Sequence, residues 1–190
     1  MKGFKDVIIL VLITTIAGFC LSLVYSVTQA KIEEAKQAGV RAALKNVADF
    51  MTDDPREITY EYTGTDGSKI TVPIYDVTQD GHHLGAALQM TTSEGFAGEI
   101  KFLMGVDATG AITGFQILES KETPGLGSKA SDKDVFWGQF VGQTLDSMTF
   151  KVRKDGGDVD AITASTITSR AITHALEKGL KVYHAYRGDA

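Results

Sequence analysis

The longest uncharged stretch of the chain lies near its N-terminus. From Val7 to Ala30 no residue is charged, and Lys2 and Lys5 precede this stretch. A helix of such length and composition can cross a hydrocarbon core of about 30 Å. We therefore expect residues 1–30 to form a short N-terminus and one transmembrane helix. A cleaved signal peptide is the alternative, although the apolar core of a signal peptide is shorter, at roughly 7–15 residues.

The positive charges set the expected orientation of this helix. Lys2, Lys5 and the amino terminus precede it, whereas the far side opens with lysines and glutamates in mixed order. The positive-inside bias then keeps the N-terminus in the cytoplasm. It places the rest of the chain on the periplasmic or extracellular side of the cell membrane.

The next segment, residues 31–55, keeps a helical spacing of apolar residues, with charges between them, as far as Phe50. This period indicates a helix that continues into water, and Asp53-Asp54-Pro55 is predicted to end it. We interpret the segment as a stalk that separates the membrane from a folded domain over residues 56–190.

Alternation of apolar and polar positions then predicts β-strands. Glycine-containing turns separate the first two strands, at residues 63–67, and the last two, at Asp107–Gly110. Each of these two pairs is therefore predicted to be a hairpin. The five predicted strands are Glu57–Tyr62, Lys69–Tyr75, Leu84–Thr91, Glu99–Val106 and Ala111–Leu118.

The remaining pattern predicts a short amphipathic helix around Val135–Phe140, a strand over Met148–Val152 and a long helix ending near Tyr186. The last helix carries an apolar stripe at helical spacing, so it is expected to pack on the sheet. Strands followed by helices indicate an α+β fold, with an antiparallel sheet packed with helices. The stripe consists of Ile167, Ala171, Ile172, Ala175, Leu176, Gly179, Leu180 and Tyr183.

Composition excludes several classes of function. The chain has 190 residues and a net charge of −5, which argues against nucleic-acid binding, since such binding requires a basic face. Its single cysteine, Cys20, cannot form an intrachain disulfide. The four histidines are not spaced to put two imidazoles on one helix face, so no metal site is expected.

The loop after the fifth strand, Glu122-Thr123-Pro124-Gly125-Leu126-Gly127, has few large side chains besides Leu126. Pro124 fixes one φ angle, and the two glycines permit positive φ and a close approach of the backbone to a ligand. Such a loop suits a flat aromatic ligand, with backbone polar groups at its edge and an aliphatic contact on its face. A plain turn between a strand and a helix is equally compatible with the pattern.

Five hydroxyl side chains lie among seven residues at the start of the last helix. One or two of them suffice to cap a helix. Free N–H groups and the helix dipole attract anions there, so the surplus favours phosphate contact or covalent modification of a hydroxyl. Nearby basic residues could add positive charge or remain solvated. The hydroxyls are those of Thr163, Ser165, Thr166, Thr168 and Ser169, and the basic residues are Lys151, Arg153, Lys154 and Arg170.

Taken together, these segments resemble the FMN-binding domain family, which includes the RnfG and NqrC subunits of ion-translocating membrane electron-transport complexes. The resemblance covers about residues 82–185 and the N-terminal helix, and the short chain is more similar to RnfG than to the longer NqrC. The matching sequences are Gly95–Ile100, Lys121–Gly127, Phe136, Gln139-Phe140 and Asp160–Ser169.

In that family a separate flavin transferase joins FMN, through its phosphate, to a threonine in the motif Asp-x-x-Ser/Thr-Gly-Ala-Thr. The resemblance implies that Thr166 is the acceptor and Asp160 the acidic residue of the motif. Ala164 and Ser165 stand where the motif has Gly and Ala, so the chain departs from the pattern beside the acceptor. The loop at residues 122–127 would line the isoalloxazine ring. The implied cofactor-binding residues are Thr166, Asp160, Thr163, Ser165, Thr168, Glu122, Thr123, Gly125, Leu126 and Gly127.

The resemblance implies an electron-transfer subunit with covalent FMN, in a membrane complex that couples ferredoxin/NAD electron transfer to Na⁺ or H⁺ translocation. Its partners would be the other membrane subunits of the complex and the flavin transferase. No side chain needs to act as acid or base, so no catalytic residue is expected. The chain would be a redox subunit of a multi-subunit oxidoreductase, and no catalysis is expected from the isolated chain. Two other hypotheses are a membrane-anchored binding or sensory module for a phosphorylated ligand, and a flavin reductase with its own small substrate.

Overall fold

The computed structural model describes residues 2–52, 55–64 and 67–188. The chain forms two compact units, residues 1–40 and 41–190. It has the predicted α+β arrangement of an N-terminal helix, an antiparallel sheet and a C-terminal helix. The main elements in chain order are α1 (Lys2–Val47), β1 (Arg56–Thr63), β2 (Lys69–Gln79), β3 (His82–Gly95), β4 (Gly98–Asp107), β5 (Ile112–Ser120) and α2 (Thr166–Arg187).

Helix α1 carries its apolar side chains on the outside over the segment predicted to lie in a membrane. Residues Phe4–Val47 include an 18-residue window with a mean hydropathy of 2.8. By length and composition this is the one helix able to span a membrane in the part of the chain that the structure describes. The helix ends at Val47, before the predicted Phe50, and the predicted stop at Asp53-Asp54 lies outside the described residues.

Strands β1 to β5 form one antiparallel sheet in which each strand pairs with its neighbours in sequence. All five predicted strands are present, and β2 and β3 extend beyond their predicted ends. The hairpin predicted between β4 and β5 is confirmed, because the Asp107 N–H donates to the Ala111 carbonyl oxygen at 3.0 Å. Asp107 Oδ1 also accepts a hydrogen bond from the Thr109 N–H at 2.8 Å. The turn predicted at residues 63–67 includes residues 65 and 66, which lie outside the described part of the chain.

Helix α2 packs on one face of this sheet through the predicted apolar stripe. The stripe residues are buried, except Ile167, whose side chain is 49% exposed. Gly179 lies so close to Met104 of β4 that an added Cβ would come within 3.0 Å of the methionine sulfur. The absence of a side chain at Gly179 therefore brings the helix backbone against the sheet.

The opposite face of the sheet receives the end of α1. Successive residues of a strand point to opposite faces, so Gly105 faces away from α2 where Met104 faces towards it. Gly105 pairs with Gly114 of β5, and an added Cβ on either glycine would come within 3.0 Å of the Val47 carbonyl oxygen. The Thr113 hydroxyl donates a hydrogen bond to that oxygen at 2.7 Å. This bond satisfies one of the carbonyl groups that a helix end leaves unpaired.

The segment between β5 and α2 forms short 3₁₀ helices connected by turns. The amphipathic helix predicted around Val135–Phe140 is a single 3₁₀ turn, Trp137–Phe140, and two others lie at Gly127–Ser131 and Arg153–Asp155. The rings of Phe136 and Phe140 are buried and meet edge to face, with centroids 5.4 Å apart. The segment therefore contributes aromatic side chains to the core without a long regular element.

The strand predicted over Met148–Val152 is wrong. Within it only Val152 forms a β-bridge, an isolated one with Val159. The apolar alternation is real, since Phe150 and Val152 are both buried. However, the Thr149 N–H donates to the Asp158 side chain at 2.8 Å and not to a neighbouring strand. Alternate side chains are therefore buried here although the segment does not belong to a sheet.

A buried polar network holds the C-terminal half of α2 to the sheet. The Tyr183 hydroxyl donates to the Asp107 carbonyl oxygen at 2.8 Å and lies 2.8 Å from His83 Nε2. His83 Nδ1 lies 2.9 Å from Asp76 Oδ1, although the two atoms are not aligned as a hydrogen bond. Burial lowers the pKa of His83, while the Asp76 carboxylate opposes this shift. The network fixes the end of α2 that lies far from its hydroxyl-rich start.

The close approach of Val47 to the two glycines predicts that Gly105→Ala destabilises the protein. The new methyl group would overlap backbone atoms of Val47, and overpacking of this kind costs about 1–3 kcal/mol. Such a loss lowers the thermal midpoint by about 2–4 °C per kcal/mol for a chain of this size. The measurement is thermal unfolding of the full-length protein in detergent.

Gly39→Ala is the matched control, because an added Cβ at this helical glycine meets nothing within 4 Å. Alanine is favoured over glycine inside a helix, so the control should keep or slightly raise the midpoint. Equal midpoints for Gly105→Ala and the wild type would show that the glycine is not needed for the contact with Val47.

Candidate functional site

A cavity of about 320 Å³ lies at the N-terminal end of α2. Its walls come from the β3–β4 turn, the loop after β5 and the first residues of α2. The volume falls at the lower end of the range of small-molecule sites, roughly 300–1,000 Å³. The lining residues are Phe96, Glu122, Thr123, Leu126, Gly127, Ala164, Ser165, Thr166, Ile167 and Thr168.

The loop after β5 enters the cavity through a tight turn. The Leu126 N–H donates to the Thr123 carbonyl oxygen at 3.1 Å, and Gly125 has a φ of +77°. Proline at the second position and a glycine of positive φ at the third are typical of a type II turn. The turn leaves the Leu126 side chain 42% exposed at the cavity wall. The predicted aliphatic contact for a ligand is therefore available.

The residues at the start of α2 line the same cavity. Ser165 is the N-cap residue, and its side chain makes no capping hydrogen bond. The N–H groups of the first helical turn are therefore not used by a side-chain cap. Ala164, just before the cap, has a φ of +62°, a left-handed conformation that costs about 1–2 kcal/mol for a residue with a Cβ. The turn that precedes the helix therefore requires a strained backbone conformation at Ala164.

The five hydroxyls do not have equivalent environments. Thr168 donates to Glu122 Oε2 at 2.9 Å. Ser169 accepts from the Ile162 N–H at 2.9 Å and donates to the Ser165 carbonyl oxygen. These two side chains hold the local structure together and are buried.

The other three hydroxyls make no hydrogen bond to a described residue, and they differ in exposure. Ser165 is 7% exposed, Thr166 is half-buried at the cavity wall, and Thr163 is exposed outside the cavity lining. Among these three residues, Thr166 therefore combines partial exposure with a place in the cavity lining.

The structure brings seven of the ten predicted cofactor-binding residues to this cavity and leaves three outside its lining. Those outside are Gly125, which forms the turn, and Asp160 and Thr163, which precede the helix. Asp160 pairs with Arg153, with Nε 2.7 Å from Oδ1. The seven in the lining are Glu122, Thr123, Leu126, Gly127, Ser165, Thr166 and Thr168.

The structure adds Phe96, Ala164 and Ile167 to the cavity lining. Phe96 follows the Gly95 break between β3 and β4 and is 68% exposed. An aromatic residue in a glycine-flanked turn is a signal that sequence reasoning could have used. Its helical spacing places Ile167 in the apolar stripe of α2. In the sequence, only its position in the first turn of the helix distinguishes it from the stripe residues that are buried.

The Asp160 backbone is held by a distant side chain. Gln139 Oε1 accepts from the Asp160 N–H at 2.8 Å, and Gln139 Nε2 donates to the Asp160 carbonyl oxygen at 3.1 Å. The side-chain amide of Gln139 thus satisfies the backbone N–H and carbonyl groups of Asp160, as a neighbouring β-strand would. Gln139 therefore fixes the course of the chain into the hydroxyl-rich segment.

The basic residues near the helix start do not line the cavity. Arg170 makes a two-pronged contact with Asp155, including Nη2 to Oδ1 at 2.8 Å, and this hydrogen bonding lowers the pKa of the Asp155 carboxyl. Arg153 pairs with Asp160. Among the described residues that line the cavity, Glu122 is charged and no residue is a cation.

Comparison with known proteins connects this site to a family. Residues 95–181 match the family described as FMN-binding domain, a range that begins at the β3–β4 turn and contains every residue of the cavity lining. The matched part therefore contains all the walls of the site.

Curated relatives resemble almost the whole chain. It is 31% identical over 191 residues to the G subunit of the ion-translocating oxidoreductase complex of Aliivibrio fischeri (strain MJ11), covering 96% of this chain and 91% of that protein. It is 33% identical over 189 residues to the G subunit of the Na(+)-translocating ferredoxin:NAD(+) oxidoreductase complex of Acetobacterium woodii, covering 95% and 91%. The G subunit of the ion-translocating complex of Shewanella baltica (strain OS223) is 32% identical over 183 residues, covering 89% and 85%. The chain therefore belongs to the family of G subunits of ion-translocating oxidoreductase complexes, and it contains an FMN-binding domain.

Proposed function

We propose that this chain is an electron-transfer subunit that carries FMN in the cavity at the start of α2, attached through a phosphoester to Thr166. The complex would couple electron transfer between ferredoxin and NAD to translocation of Na⁺ or H⁺. The single observation that carries the proposal is that one cavity joins the loop at Glu122–Gly127 to the hydroxyl-rich start of α2. These two segments lie about forty residues apart in sequence. The names of the relatives support the ion-translocating role.

Several features of the cavity support a flavin as its ligand. FMN supplies the redox chemistry when bound, and the protein supplies attachment, orientation and electrostatics. Leu126, Phe96 and Ile167 are exposed apolar side chains of the lining, and they can contact the faces of a flat ring. Backbone groups of the Thr123–Leu126 turn would be available to the edge of such a ring.

Thr166 is the proposed acceptor because of its position and its free hydroxyl. It lies in the first turn of α2, where the helix dipole and N–H groups stabilise a phosphate. The other hydroxyls are less suited, since Thr168 is bonded to Glu122 and Ser165 is buried. In the attachment step the Thr166 oxygen forms a bond to phosphorus and loses its proton. The activated flavin nucleotide supplied by the transferase loses its leaving group.

The charges of the cavity favour a covalent attachment over reversible binding. No cation is present among the described lining residues, and the Glu122 carboxylate faces the same space. A helix N-terminus alone contributes about 0.3–1 kcal/mol to an anion, and up to about 2 in favourable geometry. This is close to one order of magnitude in affinity, so a covalent bond would account for retention of the phosphate.

Helix α1 is proposed to anchor the domain to the cell membrane from the periplasmic or extracellular side. In this arrangement residues 1–30 span the bilayer once with a cytoplasmic N-terminus, residues 31–55 form the stalk, and residues 56–190 form the FMN domain. The other membrane subunits would exchange electrons with it, and the transferase would act on the exported domain. A covalent cofactor suits this location, because free FMN outside the cytoplasm would be scarce.

Thr166→Ala is expected to abolish covalent flavin. The measurement is intact mass together with in-gel flavin fluorescence, after co-expression of the full chain with the flavin transferase. The wild type should gain the mass of FMN less one water, and Thr166→Ala should gain nothing. Thr71→Ala is the matched control, because it removes an exposed hydroxyl of β2 that lies outside both the motif and the cavity lining. It should be labelled like the wild type.

Two outcomes would contradict the proposal in different ways. If Thr166→Ala still carries covalent flavin, Thr166 is not the acceptor, and Thr163, Ser165 and Thr168 are the next residues to test. A wild-type protein without visible absorbance, despite an active transferase, would favour the binding or sensory module that takes a phosphorylated ligand without redox chemistry.

The departure from the family motif at Ala164 predicts a gain in stability for Ala164→Gly. Glycine adopts the φ of +62° without the steric cost borne by alanine, although it loses more entropy on folding. The net gain should be about 0.5–1 kcal/mol, seen as a rise in the thermal midpoint of the full chain. Ala108→Gly is the control, since this exposed turn residue lacks a positive φ and its substitution should lower the midpoint. A lower midpoint for Ala164→Gly would contradict the assignment of strain.

A further inference from the structure

Glu122 is a buried carboxylate enclosed by two glycines. Its side chain is 8% exposed. An added Cβ at Gly95 would come within 3.0 Å of its Oε1, and one at Gly127 within 3.0 Å of its Oε2. The two glycines belong to different segments, the end of β3 and the loop after β5. Together they form a slot that the carboxylate fills.

Both carboxylate oxygens bond to elements outside the Glu122 loop. Oε1 accepts from the Ala97 N–H at 3.0 Å, which lies in the β3–β4 turn. Oε2 accepts from the Thr168 hydroxyl at 2.9 Å, which lies in the first turn of α2. One side chain therefore connects the three segments that form the walls of the cavity. Hydrogen bonds to an ionised group are among the stronger ones in proteins.

These two bonds leave acceptor capacity on a charge that borders the cavity. A carboxylate has about four lone-pair sites, and the bonds from Ala97 and Thr168 occupy two of them. Among the described lining residues no cation offsets this charge. A second carboxylate beside the β3–β4 turn, that of Glu94, is 60% exposed and contacts His174, so solvent screens it. Glu122 thus carries the full charge among the described lining residues, and it lies across the cavity from the positive end of the α2 dipole.

We propose that Glu122 is a positioning residue with two linked effects on the site. It ties the β3–β4 turn and the start of α2 to the flavin loop, and its charge lowers the midpoint potential of the flavin bound there. The second effect rests on the proposed function, whereas the first concerns the folded protein alone. The physical reason for the lower potential is that adding an electron beside a fixed negative charge is unfavourable in a partly desolvated site.

The test of the charge uses flavin-loaded full-length protein and a redox titration followed by absorbance. Glu122→Gln keeps the size of the side chain and its hydrogen-bonding reach while removing the charge. Its midpoint potential should shift to more positive values. Glu94→Gln is the matched control, because it removes the same charge from an exposed position beside the turn. It should shift the potential less, and its shift should shrink further in high salt, whereas the shift of Glu122→Gln should persist.

The test of the connection uses the same protein without flavin and hydrogen exchange of backbone amides. Glu122→Ala removes both acceptors, so the Ala97 amide should exchange about tenfold faster, and the first turn of α2 should also exchange faster. Glu122→Gln should stay near the wild type, because the amide oxygen can still accept from Ala97. If Glu122→Ala does not fold, Thr168→Val breaks the bond to α2 alone and should speed exchange only at the helix start.

The outcomes separate the inference from the proposed function. A potential of Glu122→Gln equal to the wild type, or more negative, overturns the charge effect while flavin attachment stands. Unchanged exchange at Ala97 in Glu122→Ala overturns the connection between the walls. A wild-type chain that takes up no flavin overturns the proposed function and the charge effect together, and the exchange measurement still decides the connection.

Discussion

The contact of α2 with the sheet is the constraint on which the rest of the domain depends. Gly179 allows the helix backbone to meet Met104 directly, although glycine inside a helix costs about 1 kcal/mol relative to alanine. At the C-terminal half of the helix, the Tyr183 hydroxyl is held by Asp107 and His83. With its middle and its far end fixed, α2 can place its first turn at one point beside the loop after β5.

On the opposite face of the sheet, glycines again allow a close backbone contact. Gly105 and Gly114 leave space for the carbonyl of Val47, and Thr113 completes its hydrogen bonding. Within residues 41–190, α2 thus packs on one face of the sheet, and the end of α1 contacts the other face at Gly105 and Gly114. The close contact with Val47 explains why β4 and β5 have glycines at these two positions, where a sheet would otherwise favour β-branched residues.

The order of the elements could be predicted from the sequence because their patterns are local. Strand alternation, the Asp107–Gly110 turn and the apolar stripe of α2 each depend on residues close together in the chain. The strand predicted over Met148–Val152 failed for the opposite reason, since its alternation matches burial but its backbone partners lie at Asp158 and Val159. No local pattern reports which distant group satisfies a backbone N–H.

The site is predictable in its parts and less so in its geometry. The sequence distinguishes both the loop at Glu122–Gly127 and the hydroxyl-rich segment, and most of their residues meet in one cavity. Phe96 was missed as a lining residue because its turn joins the cavity only through tertiary contact. The sequence also does not show which hydroxyls are available to a ligand. Thr168 and Ser169 donate hydrogen bonds to Glu122 and Ser165, and these contacts form only in the folded protein.

The electrostatics of the cavity give a physical reason for joining a cofactor covalently at this site. A reversible phosphate site gains affinity from cations, yet a cation close to the flavin would also stabilise its reduced form and raise its potential. Here Arg153 and Arg170 are paired with Asp160 and Asp155, and they do not line the cavity. A covalent phosphoester at Thr166, as we propose, removes the need for a cation. It would thereby leave the charge of Glu122 without an opposing cation among the described residues of the lining, so that retention of the cofactor and control of its potential would be separate properties of the site.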